Sequence, residues 1–407
     1  MLDLIIIGAG AAGFFASAEV LKRKPNARVL MLEKTGKVLG KVKISGGGRC
    51  NVTHNCKDAE ALLDFYPRGN PWLKDVFAQF SVKDTLQWFE NRGVPIVAEA
   101  DGRMFPQTNE SQTIIDALLA SSKGPNFELR FHSGVKSMYP VDNGFEISME
   151  NQEKILAKQV LISTGGSPSD NGFLFLKNLD LKIVSPVPSL FTFNVTNHKW
   201  ADLMGLSVQR ASVSLVGTNF QFMGPLLVTH WGFSGPAILK LSAFAARILN
   251  ELNYKYRFEI DWLPEITEKD VLVQLAKYQL DNPKKRPDLS QIFPFPKRLG
   301  EQIGKDSGLD SYFNWAEAGK KKVALAAQLL KKSQFIAQGK TTYKEEFVTS
   351  GGIDLSEVSP KTCESIRFPG VFFAGEVLDV DGVTGGFNFQ AAWSTGFVAG
   401  QKIAMSI

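Results

Sequence analysis

The fold is decided by the stretch Leu4-Ile5-Ile6-Ile7-Gly8-Ala9-Gly10-Ala11-Ala12-Gly13, which is closed further on by Glu33. Its four consecutive apolar residues predict a strand that is buried on both faces, as in a parallel sheet. The glycines that follow have the spacing G-x-G-x-x-G, and Phe14 to Lys24 then predict a helix. A strand, a glycine-rich turn and a helix in this order are typical of a dinucleotide-binding βαβ unit.

Each small residue of the turn has a physical role in such a unit. Gly8 permits the tight turn, Gly10 lets the backbone approach a pyrophosphate, and Gly13 lets the helix pack close to the strand. The phosphates would bind at the helix N-terminus, where the N–H groups of Ala11 and Ala12 are free and the helix dipole favours negative charge. A purely structural turn is the alternative interpretation.

A second predicted strand, Arg28 to Leu32, ends at Glu33, twenty residues after Gly13. A carboxylate at this position can bind both ribose hydroxyls of an adenosine, and it argues against a 2′-phosphate. We count Glu33 and the adjacent Lys34 among the cofactor-binding residues. The motif does not separate FAD from NAD, so the rest of the chain has to make that distinction.

The bulk properties bound the class of protein. A length of 407 residues suggests two or three domains with a large core. No apolar run approaches the ~20 residues that a membrane helix needs, and the chain starts directly with the first strand, so we expect neither a membrane anchor nor a signal peptide. Three cysteines are too few for a disulfide framework, and we expect a cytoplasmic protein.

The net charge of +5 is unevenly distributed. The segment from Pro264 to Glu345 contains fifteen Lys and Arg against ten Asp and Glu, so it carries the whole excess and the remainder is neutral. A basic segment can bind nucleic acid, although a solvated helical surface is the commoner explanation.

A second glycine-rich stretch begins shortly after Glu33, and it favours FAD. It reads Lys43-Ile44-Ser45-Gly46-Gly47-Gly48-Arg49-Cys50-Asn51. Three consecutive glycines allow backbone to lie against a ligand or to form an anion-binding nest, and Lys43 and Arg49 add positive charge. An NAD-dependent dehydrogenase has no use for such a loop. An extended FAD does, because the loop can cover the pyrophosphate and reach the isoalloxazine.

Two further stretches in the first half are predicted to contact the cofactor. Val135 begins a strand at the place where FAD folds of this kind contact adenine through a backbone amide. The apolar strand Gln159 to Ser163 runs into Thr164-Gly165-Gly166, a second close approach of backbone. The latter lacks the G-x-G-x-x-G spacing, so it is not a second nucleotide site.

The C-terminal segment settles the cofactor as FAD, bound non-covalently. The buried strand Gly370 to Ala374 ends in Gly375-Glu376, and an acid at that strand end can bind ribitol hydroxyls. A helix is predicted to begin near Gln390, with its N-terminus facing the flavin N1–O2 region. The cofactor contacts that we assign between the strand and this helix are Asp381, Thr384, Gly385, Gly386, Phe387 and Asn388.

The middle of the chain has a different pattern. Short alternating segments from Ser189 to Asp261 predict an antiparallel sheet or barrel, in which Ser234 is a candidate N-cap for a helix that runs to Asn250. Residues 264–332 are predicted to be helical, and the chain returns to the first domain near Lys344. The predicted domains are an FAD domain (1–189 and 345–407), a β-rich insert (190–263 and 333–344) and a basic helical domain (264–332).

At this point the chain resembles the BaiN/RdsA-type NAD(P)/FAD-dependent oxidoreductases, a family of bacterial flavoproteins. The resemblance runs nearly end to end, and Ser45 to Asn51 and Ala374 to Gly382 are its most specific strings. The matching segments are Gly8 to Gly13, Lys43 to Asn51, Thr229 to Pro236, Thr349 to Gly352 and Ala374 to Asn388. The resemblance implies an α/β fold: a two-segment Rossmann-like FAD domain with an inserted antiparallel β domain and a small helical domain.

The family includes a reductase assigned to bile-acid dehydroxylation and a ribosomal-RNA dihydrouridine synthase. Both reduce a conjugated C=C bond by hydride transfer from reduced flavin. The resemblance therefore implies this chemistry more firmly than it implies a substrate.

Such a reaction needs a general acid near the flavin, and we name Cys50 and His230 as candidates. Cys50 follows the triple glycine, and packing of the loop is its alternative role. His230 is predicted to lie in a strand of the insert, where a structural role is the alternative. Cys50, His54 and Cys56 are a conceivable but poor metal-ligand set, so no metal is predicted.

We consider three functions. The first is an enzyme that reduces uridine in 23S rRNA, with NAD(P)H as a transient electron donor and the basic helical insert as the RNA-binding part. Phe295, Trp315 and Phe313 are candidates for base stacking in that insert. The second is a reductase of a small-molecule enone, and the third is a non-catalytic redox sensor that binds FAD. The sequence does not predict the oligomeric state.

Overall fold

The computed structural model describes residues 1–195, 199–309, 313–341 and 348–407. The chain divides into two compact units, Met1–Ser189 with Lys344–Ile407 and Leu190–Tyr343. The predicted return of the chain near Lys344 lies outside the described residues. The second unit contains both the predicted β-rich insert and the predicted helical domain, and their separation into two domains stays a prediction.

The strands and helices follow one another along the described chain with short connections. The strands are β1 (Leu2–Ile7), β2 (Val29–Leu32), β3 (Thr53–His54), β4 (Ile96–Ala98), β5 (Arg103–Pro106), β6 (Phe127–Arg130), β7 (Val135–Val141), β8 (Gly144–Met149), β9 (Lys154–Ile162), β10 (Ile183–Ser189), β11 (Thr192–Val195), β12 (Ser207–Leu215), β13 (Gln221–Val228), β14 (Gly232–Ser234), β15 (Lys255–Asp261), β16 (Ser333–Thr341), β17 (Val348–Ile353) and β18 (Val371–Phe373). The helices are α1 (Ala11–Arg23), α2 (Gly40–Gly48), α3 (Ala59–Leu63), α4 (Asn70–Phe77), α5 (Val82–Glu90), α6 (Ser111–Ser121), α7 (Pro236–Phe244), α8 (Ala246–Glu251), α9 (Glu268–Asp281), α10 (Lys297–Ser307), α11 (Lys320–Lys331) and α12 (Phe387–Ser406).

A seven-stranded sheet forms the centre of the first unit. Its order is β6-β2-β1-β9-β8-β7, and β18 pairs in parallel with β9. Leu4 to Ile7 of β1 lie between β2 and β9 and are buried, as the apolar run predicts. Because β18 joins the sheet from the far end of the sequence, both segments of the predicted FAD domain build one sheet.

Helix α12 packs along α1 on one face of this sheet. A Cβ atom on Gly396 would lie 2.7 Å from the carbonyl oxygen of Ala12, and one on Gly400 would lie 2.6 Å from that of Ala16. The glycines therefore allow the two helices to touch through their backbones. This contact fixes α12 against the helix that carries the first glycine-rich turn.

The second unit is built on a closed antiparallel barrel with the strand order β11-β14-β13-β12-β15-β16. Helices α9, α10 and α11 share its hydrophobic core, since Leu275 and Ile303 belong to the same cluster of buried side chains as Phe193 and Phe258. The prediction of an antiparallel sheet or barrel in this part of the chain is confirmed.

Three local predictions need correction. Ser234 ends β14 and does not cap a helix, since the N-cap residue of α7 is Gly235, which has no side chain to offer. The predicted helix to Asn250 is two helices, α7 and α8. Helix α12 begins at Phe387 rather than near Gln390, because Gly386 has a φ of +93° and stands at its N-cap.

Two of the three predicted base-stacking rings are also core residues. Trp315 has no exposed surface and Phe295 is 8% exposed, and both belong to the hydrophobic cluster of the second unit. Phe313 is partly buried and packs against that cluster. The prediction that Phe295 and Trp315 stack on bases is therefore wrong. Among the helices that the structure describes, none has the length and apolar character needed to cross a bilayer.

Candidate cofactor site

Separate segments of the first unit meet at one edge of its sheet. The carboxyl ends of the parallel strands β1, β2, β9 and β18 lie at this edge, where α/β sheets bind their ligands. The backbone hydrogen bonds that join the segments are Gly8 N to Leu32 O (2.8 Å), Ser163 N to Ile7 O (2.9 Å), Ala374 N to Ile162 O (3.0 Å) and Leu39 N to Ala9 O (3.0 Å). Four predicted cofactor-binding stretches are thus brought together.

The first turn has the geometry of a phosphate cradle. Gly8 has a φ of +105°, and a Cβ atom on Gly13 would lie 2.3 Å from the Gly8 carbonyl oxygen, so both positions require glycine. Gly10 is the N-cap of α1, and a Cβ atom there would have no heavy atom within 4 Å. The N-terminus of α1, at Ala11 and Ala12, has no capping side chain and no acidic residue in its first turn. Its backbone therefore faces open space and suits an anion.

Glu33 is held in place at the end of β2. Its Oε2 accepts a hydrogen bond from Ala9 N (3.1 Å), and its Oε1 accepts from Thr35 N and Oγ1 (both 2.8 Å). The carboxylate retains lone pairs for further donors, as binding of ribose hydroxyls requires. Lys34 beside it is exposed.

Val135 is placed near Glu33 by the segment that precedes it. The backbone N–H of Ser133 donates to the Glu33 carbonyl oxygen (2.8 Å), and Val135 then opens β7. The structure therefore brings Val135 to the neighbourhood of the residue predicted to bind ribose. Its contact with adenine stays a prediction.

The triple glycine interrupts α2 and does not form an independent loop. Ser45, Gly46 and Gly47 have non-helical backbone angles, and all three glycines have positive φ. A Cβ atom on Gly46 would lie 2.8 Å from the Phe105 ring, whereas Gly47 and Gly48 have no heavy atom within 4 Å of such a position. The segment therefore rests on Phe105 and presents open backbone on its other side.

Arg49 is fixed by partners that the sequence did not reveal. Its Nη1 lies 2.6 Å from Glu99 Oε1, its guanidinium lies 3.9 Å from the centre of the Phe105 ring, and its Nε donates to the Gly46 carbonyl oxygen. Arg103 binds the other oxygen of Glu99 (3.0 Å). Glu99 thus neutralises Arg49 and ties it to the β4–β5 hairpin. Lys43 is exposed.

Asn51 connects the triple-glycine segment to the start of α12. With its side-chain amide oriented so that both hydrogen bonds are satisfied, Asn51 donates to the Thr53 carbonyl oxygen and accepts from Gly386 N, each at 3.0 Å. Asn388 holds the other side of the turn through two hydrogen bonds to the Gly382 backbone (2.8 and 2.9 Å). The N-terminus of α12 is therefore fixed next to the second glycine-rich stretch, with Thr384 exposed and Gly385 buried beside it.

Glu376 lies beside the Thr164-Gly165-Gly166 turn. A Cβ atom on Gly166 would lie 2.6 Å from Glu376 Oε1, which accepts a hydrogen bond from Thr349 N (3.0 Å). Glu376 Oε2 forms an ion pair with Lys41 Nζ (2.5 Å) on α2. Thr349 and Lys41 are partners that sequence reasoning missed, because nothing in their local pattern marks them. Gly375 packs on Ala12, and Gly165 has open space at its Cβ position.

Two predicted contacts of the C-terminal segment are used within the protein. Asp381 has no exposed surface, and both of its oxygens are bound by the Arg68 guanidinium, with Ser189 Oγ donating a third hydrogen bond (2.8 Å). Phe387 is buried and its ring stacks on Phe65 at 4.4 Å between centres. The structure therefore gives Asp381 and Phe387 structural roles in place of the predicted contacts with a cofactor.

Cys50 lies at the expected place in the chain but is fully enclosed. It has no exposed surface, and burial raises the pKa of its thiol to about 12, against a weaker opposing effect of a hydrogen bond with Ser45. An enclosed thiol meets no substrate in this conformation, so the geometry favours the packing role. The acid role of Cys50 stays a prediction.

His230 belongs to the second unit, where it follows β13. It is exposed, and its ring centre lies 3.7 Å from that of Trp231. Its predicted role as a general acid is not tested by these contacts and stays a prediction. Within the described residues, no group of three His, Cys, Asp or Glu side chains is placed to hold a metal ion.

His54 is a residue of interest that sequence reasoning considered only as a metal ligand. Its ring stacks on Phe387 (4.7 Å between centres), and its Nδ1 is buried with no hydrogen-bond partner in the described structure. Burial lowers the pKa of this imidazole, opposed by interactions with Asp101. A lone histidine after a glycine-rich segment gives no sequence signal for such a position.

The first unit fits an extended FAD on its own geometry. The open N-terminus of α1, the held carboxylate of Glu33, the open backbone of the triple glycine and the fixed start of α12 provide in one unit what a pyrophosphate, a ribose and a flavin ring need. The fold is therefore that of an FAD-binding Rossmann-type domain with an inserted barrel, and it defines the class of FAD-dependent oxidoreductases.

Comparison with known proteins gives the family. The model of the family described as "HI0933-like protein Rossmann domain" matches residues 2–402, and the chain belongs to this family. The family membership and the fold class predicted from the sequence are thereby confirmed.

The chain is similar to characterised members over almost its whole length. It is 29% identical over 408 residues to the ribosomal RNA dihydrouridine synthase of Escherichia coli (strain K12), with 98% of each chain covered. It is 25% identical over 407 residues to the 3-dehydro-bile acid delta(4,6)-reductase of Clostridium scindens, again with 98% of each covered. Among solved structures, the 3-ketosteroid delta1-dehydrogenase from Sterolibacterium denitrificans has the same fold, with a TM-score of 0.51, 12% identity and complete coverage of both chains.

Proposed function

We propose that this protein holds FAD non-covalently in the first unit and reduces an activated C=C bond, with uridine in 23S rRNA as the preferred substrate. The observation that carries the proposal is the meeting of the glycine-rich segments at the carboxyl ends of β1, β2, β9 and β18, with open backbone at Gly10, Gly47 and Gly165. Bound FAD would supply the hydride for this chemistry.

The residues of the site divide the binding of the cofactor among them. The N-terminus of α1 at Gly10 would bind the pyrophosphate, and Glu33 would bind the ribose hydroxyls of the adenosine. Glu376, already held by Thr349 and Lys41, would orient the ribitol chain. The N-terminus of α12, fixed by Asn51, would stabilise negative charge on the pyrimidine end of the flavin ring.

The electron donor in this proposal is NAD(P)H, bound only transiently. The sequence contains one G-x-G-x-x-G stretch between a strand and a helix, so the donor has no second fingerprint of its own. Stopped-flow mixing of the flavin-loaded protein with NADPH or NADH should bleach the flavin absorbance, and added substrate should restore it. A flavin that neither nucleotide reduces would favour the redox-sensor hypothesis.

Ribosomal RNA is supported as the substrate by two observations. The relatives from Escherichia coli and Haemophilus influenzae are both named ribosomal RNA dihydrouridine synthases. The helical part of the second unit carries the basic excess of the chain, as contacts with phosphates need. Such a substrate would place the protein in the cytoplasm.

The substrate is tested in cells that lack the gene. We expect mass spectrometry of 23S rRNA to show that a dihydrouridine present in the parent strain is missing in the deletion strain. A plasmid with the intact gene should restore it, and the Gly10→Val gene, expressed at an equal level, should not. Dihydrouridine unchanged at every position of the deletion strain would contradict the rRNA proposal.

A small-molecule enone is the second candidate, and the name of the Clostridium scindens relative supports it. It predicts that a free conjugated enone oxidises NAD(P)H in the presence of the protein and in the absence of RNA. Enone turnover together with unchanged rRNA would favour this candidate over the first.

A further inference from the structure

The helical part of the second unit brings together two runs of cations that are more than thirty residues apart in the chain. Lys284-Lys285-Arg286 follow α9, and Lys320-Lys321-Lys322 open α11. Trp315 N donates to the Lys285 carbonyl oxygen and Ala316 N to that of Pro283, each at 2.9 Å. The first run is therefore bonded to the segment that leads directly into the second.

The end of α10 adds a further cation to this place. A Cβ atom on Gly308, the C-cap of α10, would lie 3.6 Å from Lys322 Cε, and Lys305 lies in the last turn of that helix. The side chain of Gln279 locks the arrangement by donating to the carbonyl oxygens of Trp315 (2.8 Å) and Ala318 (2.7 Å). We call this set the basic surface; its members are Lys284, Lys285, Arg286, Lys305, Lys320, Lys321 and Lys322.

The basic surface lacks the acidic partners that an ordinary charged helix face has. All seven side chains are exposed, and among the described residues none of them forms an ion pair. Lysines elsewhere in the same helices are paired: Lys297 with Glu301, and Lys331 with Asp261. The positive charge is therefore left uncompensated at one place and neutralised around it.

Helix α11 begins in a way that works against its own stability. Its first turn contains three lysines and no acidic residue, and its N-cap, Gly319, provides no capping side chain. Cations at a helix N-terminus oppose the helix dipole. Helix α9, by contrast, begins with Thr267, Glu268 and Asp270, as stability alone favours. Three lysines at this position are unfavourable for folding, and an anionic partner would compensate for them.

One aromatic ring borders the basic surface. Lys322 Nζ lies 4.1 Å from the centre of the Phe313 ring, which is only partly buried. A partly exposed ring beside unpaired cations suits the mixture of phosphates and bases that an RNA strand presents. Of the three rings predicted to stack on bases, this is the one that the structure leaves at the surface.

We propose that the basic surface binds the phosphate backbone of RNA; this rests on the proposed function, whose substrate it would hold. Lysines on flexible stems contact phosphates as point charges, so they contribute affinity without reading sequence. The surface therefore positions RNA on the second unit, and the choice of uridine is made elsewhere.

The test compares two flavin-loaded variants from which the same number of positive charges has been removed. The first replaces Lys284, Lys285, Arg286, Lys320 and Lys321 by Gln and leaves Lys322 and Lys305, which pack on neighbouring groups or end a helix. The control replaces Lys22, Lys57, Lys83, Lys123 and Lys361 by Gln; these are exposed residues of the first unit that form no ion pair with any described residue. The probe is a fluorescein-labelled single-stranded RNA fragment of 23S rRNA, whose binding is followed by anisotropy at several salt concentrations.

We expect the first variant to bind the RNA at least thirty-fold more weakly than the control. Its affinity should also depend less on salt, with the log–log slope falling by roughly 0.7 for each phosphate that is no longer neutralised. Equal binding by both variants, or binding of anionic phospholipid vesicles without binding of RNA, would overturn the inference. Dihydrouridine that is still missing from deletion-strain 23S rRNA would then leave the proposed function standing, so the two failures are distinguishable.

Discussion

Gly10 and Gly13 lie three residues apart in one turn, yet glycine serves a different purpose at each. A Cβ atom on Gly13 would lie 2.3 Å from the Gly8 carbonyl oxygen and would force α1 away from β1. A Cβ atom on Gly10 meets nothing within 4 Å, and Gly10 has a negative φ that other residues adopt. Packing therefore requires glycine at position 13, whereas at position 10 only the proposed cofactor does.

Gly10→Val and Gly13→Ala should therefore separate binding from folding. We expect Gly10→Val to fold with a free energy of unfolding within about 1 kcal/mol of the parent protein and to purify without flavin. Gly13→Ala should be less stable by about 1–3 kcal/mol through overpacking. Urea unfolding and the flavin absorbance per chain measure the two effects. Stoichiometric flavin in Gly10→Val would show that the pyrophosphate lies elsewhere.

The three cysteines differ in access although all are free thiols. Cys50 and Cys363 have no exposed surface, and burial raises the pKa of each. Cys56 is partly exposed, with a pKa raised by burial and by Asp58. Only the thiolate reacts with alkylating reagents, so access and pKa together determine reactivity.

Iodoacetamide should therefore modify the native flavin-free protein at Cys56 alone. We expect Cys50 and Cys363 to be alkylated only after unfolding in urea, and the native Cys56→Ser variant to remain unmodified. Peptide mass spectrometry after short exposure at pH 8 measures the three sites. Alkylation of native Cys50 at the rate of Cys56 would show that its thiol reaches solvent and would restore its candidacy as the proton donor.

At the scale of elements, the start of α12 depends on a distant segment of the chain. Gly386 has a φ of +93°, and a Cβ atom there would lie 2.6 Å from the backbone of Thr53. Asn51 bridges the same two segments with its buried side-chain amide. The helix N-terminus proposed to face the flavin is therefore positioned by the triple-glycine segment rather than by its own capping.

Gly386→Ala and Asn51→Ala should both weaken this junction. We expect a destabilisation of about 3 kcal/mol for Gly386→Ala, which adds a clash to backbone strain, and of about 1–3 kcal/mol for Asn51→Ala, which leaves a buried N–H without its partner. The control is Gly47→Ala, which has positive φ but open space, and it should be destabilised by only about 1 kcal/mol. Urea unfolding without flavin measures all three. Equal destabilisation in Gly386→Ala and Gly47→Ala would contradict the close approach to Thr53.

At the scale of the whole molecule, the chain has two compact units with separate cores. The proposed cofactor residues, apart from the candidate acid His230, all lie in the first unit. A ligand stabilises the part of a protein whose native state it binds, by about 2.7 kcal/mol at a hundredfold excess over its dissociation constant. The proposal therefore predicts an uneven effect of FAD along the chain.

Hydrogen exchange followed by mass spectrometry should reveal that pattern. We expect added FAD to slow exchange in β1, α1, α2 and the start of α12, and to leave the barrel strands β12 and β15 unchanged. The Gly10→Val protein should show no slowing in either unit. Equal slowing in the barrel would mean that the two units open together, and slowing confined to the barrel would contradict the proposed site.

The sequence predicted those features whose physical cause is local. The apolar run at Leu4 to Ile7, the spacing of Gly8, Gly10 and Gly13, and helix α6 at Ser111–Ser121 all follow from short-range periodicity and backbone sterics, and the structure has them where the sequence predicts them. The cap at Ser234 failed because Ser234 belongs to β14, a strand whose pairing with β13 the local pattern does not show.

The sequence by itself determined that a βαβ unit with a glycine-rich turn lies at the start of this chain and that an antiparallel domain is inserted in the fold. The tertiary structure alone decided which charged groups stay available. Asp381 is neutralised by Arg68, 313 residues away, whereas Glu33 remains open to a ligand. It also gathered the two cation runs at 284–286 and 320–322 and buried Trp315 between them in the sequence. Burial and charge pairing are properties of groups that meet only after folding, so no local pattern specifies them.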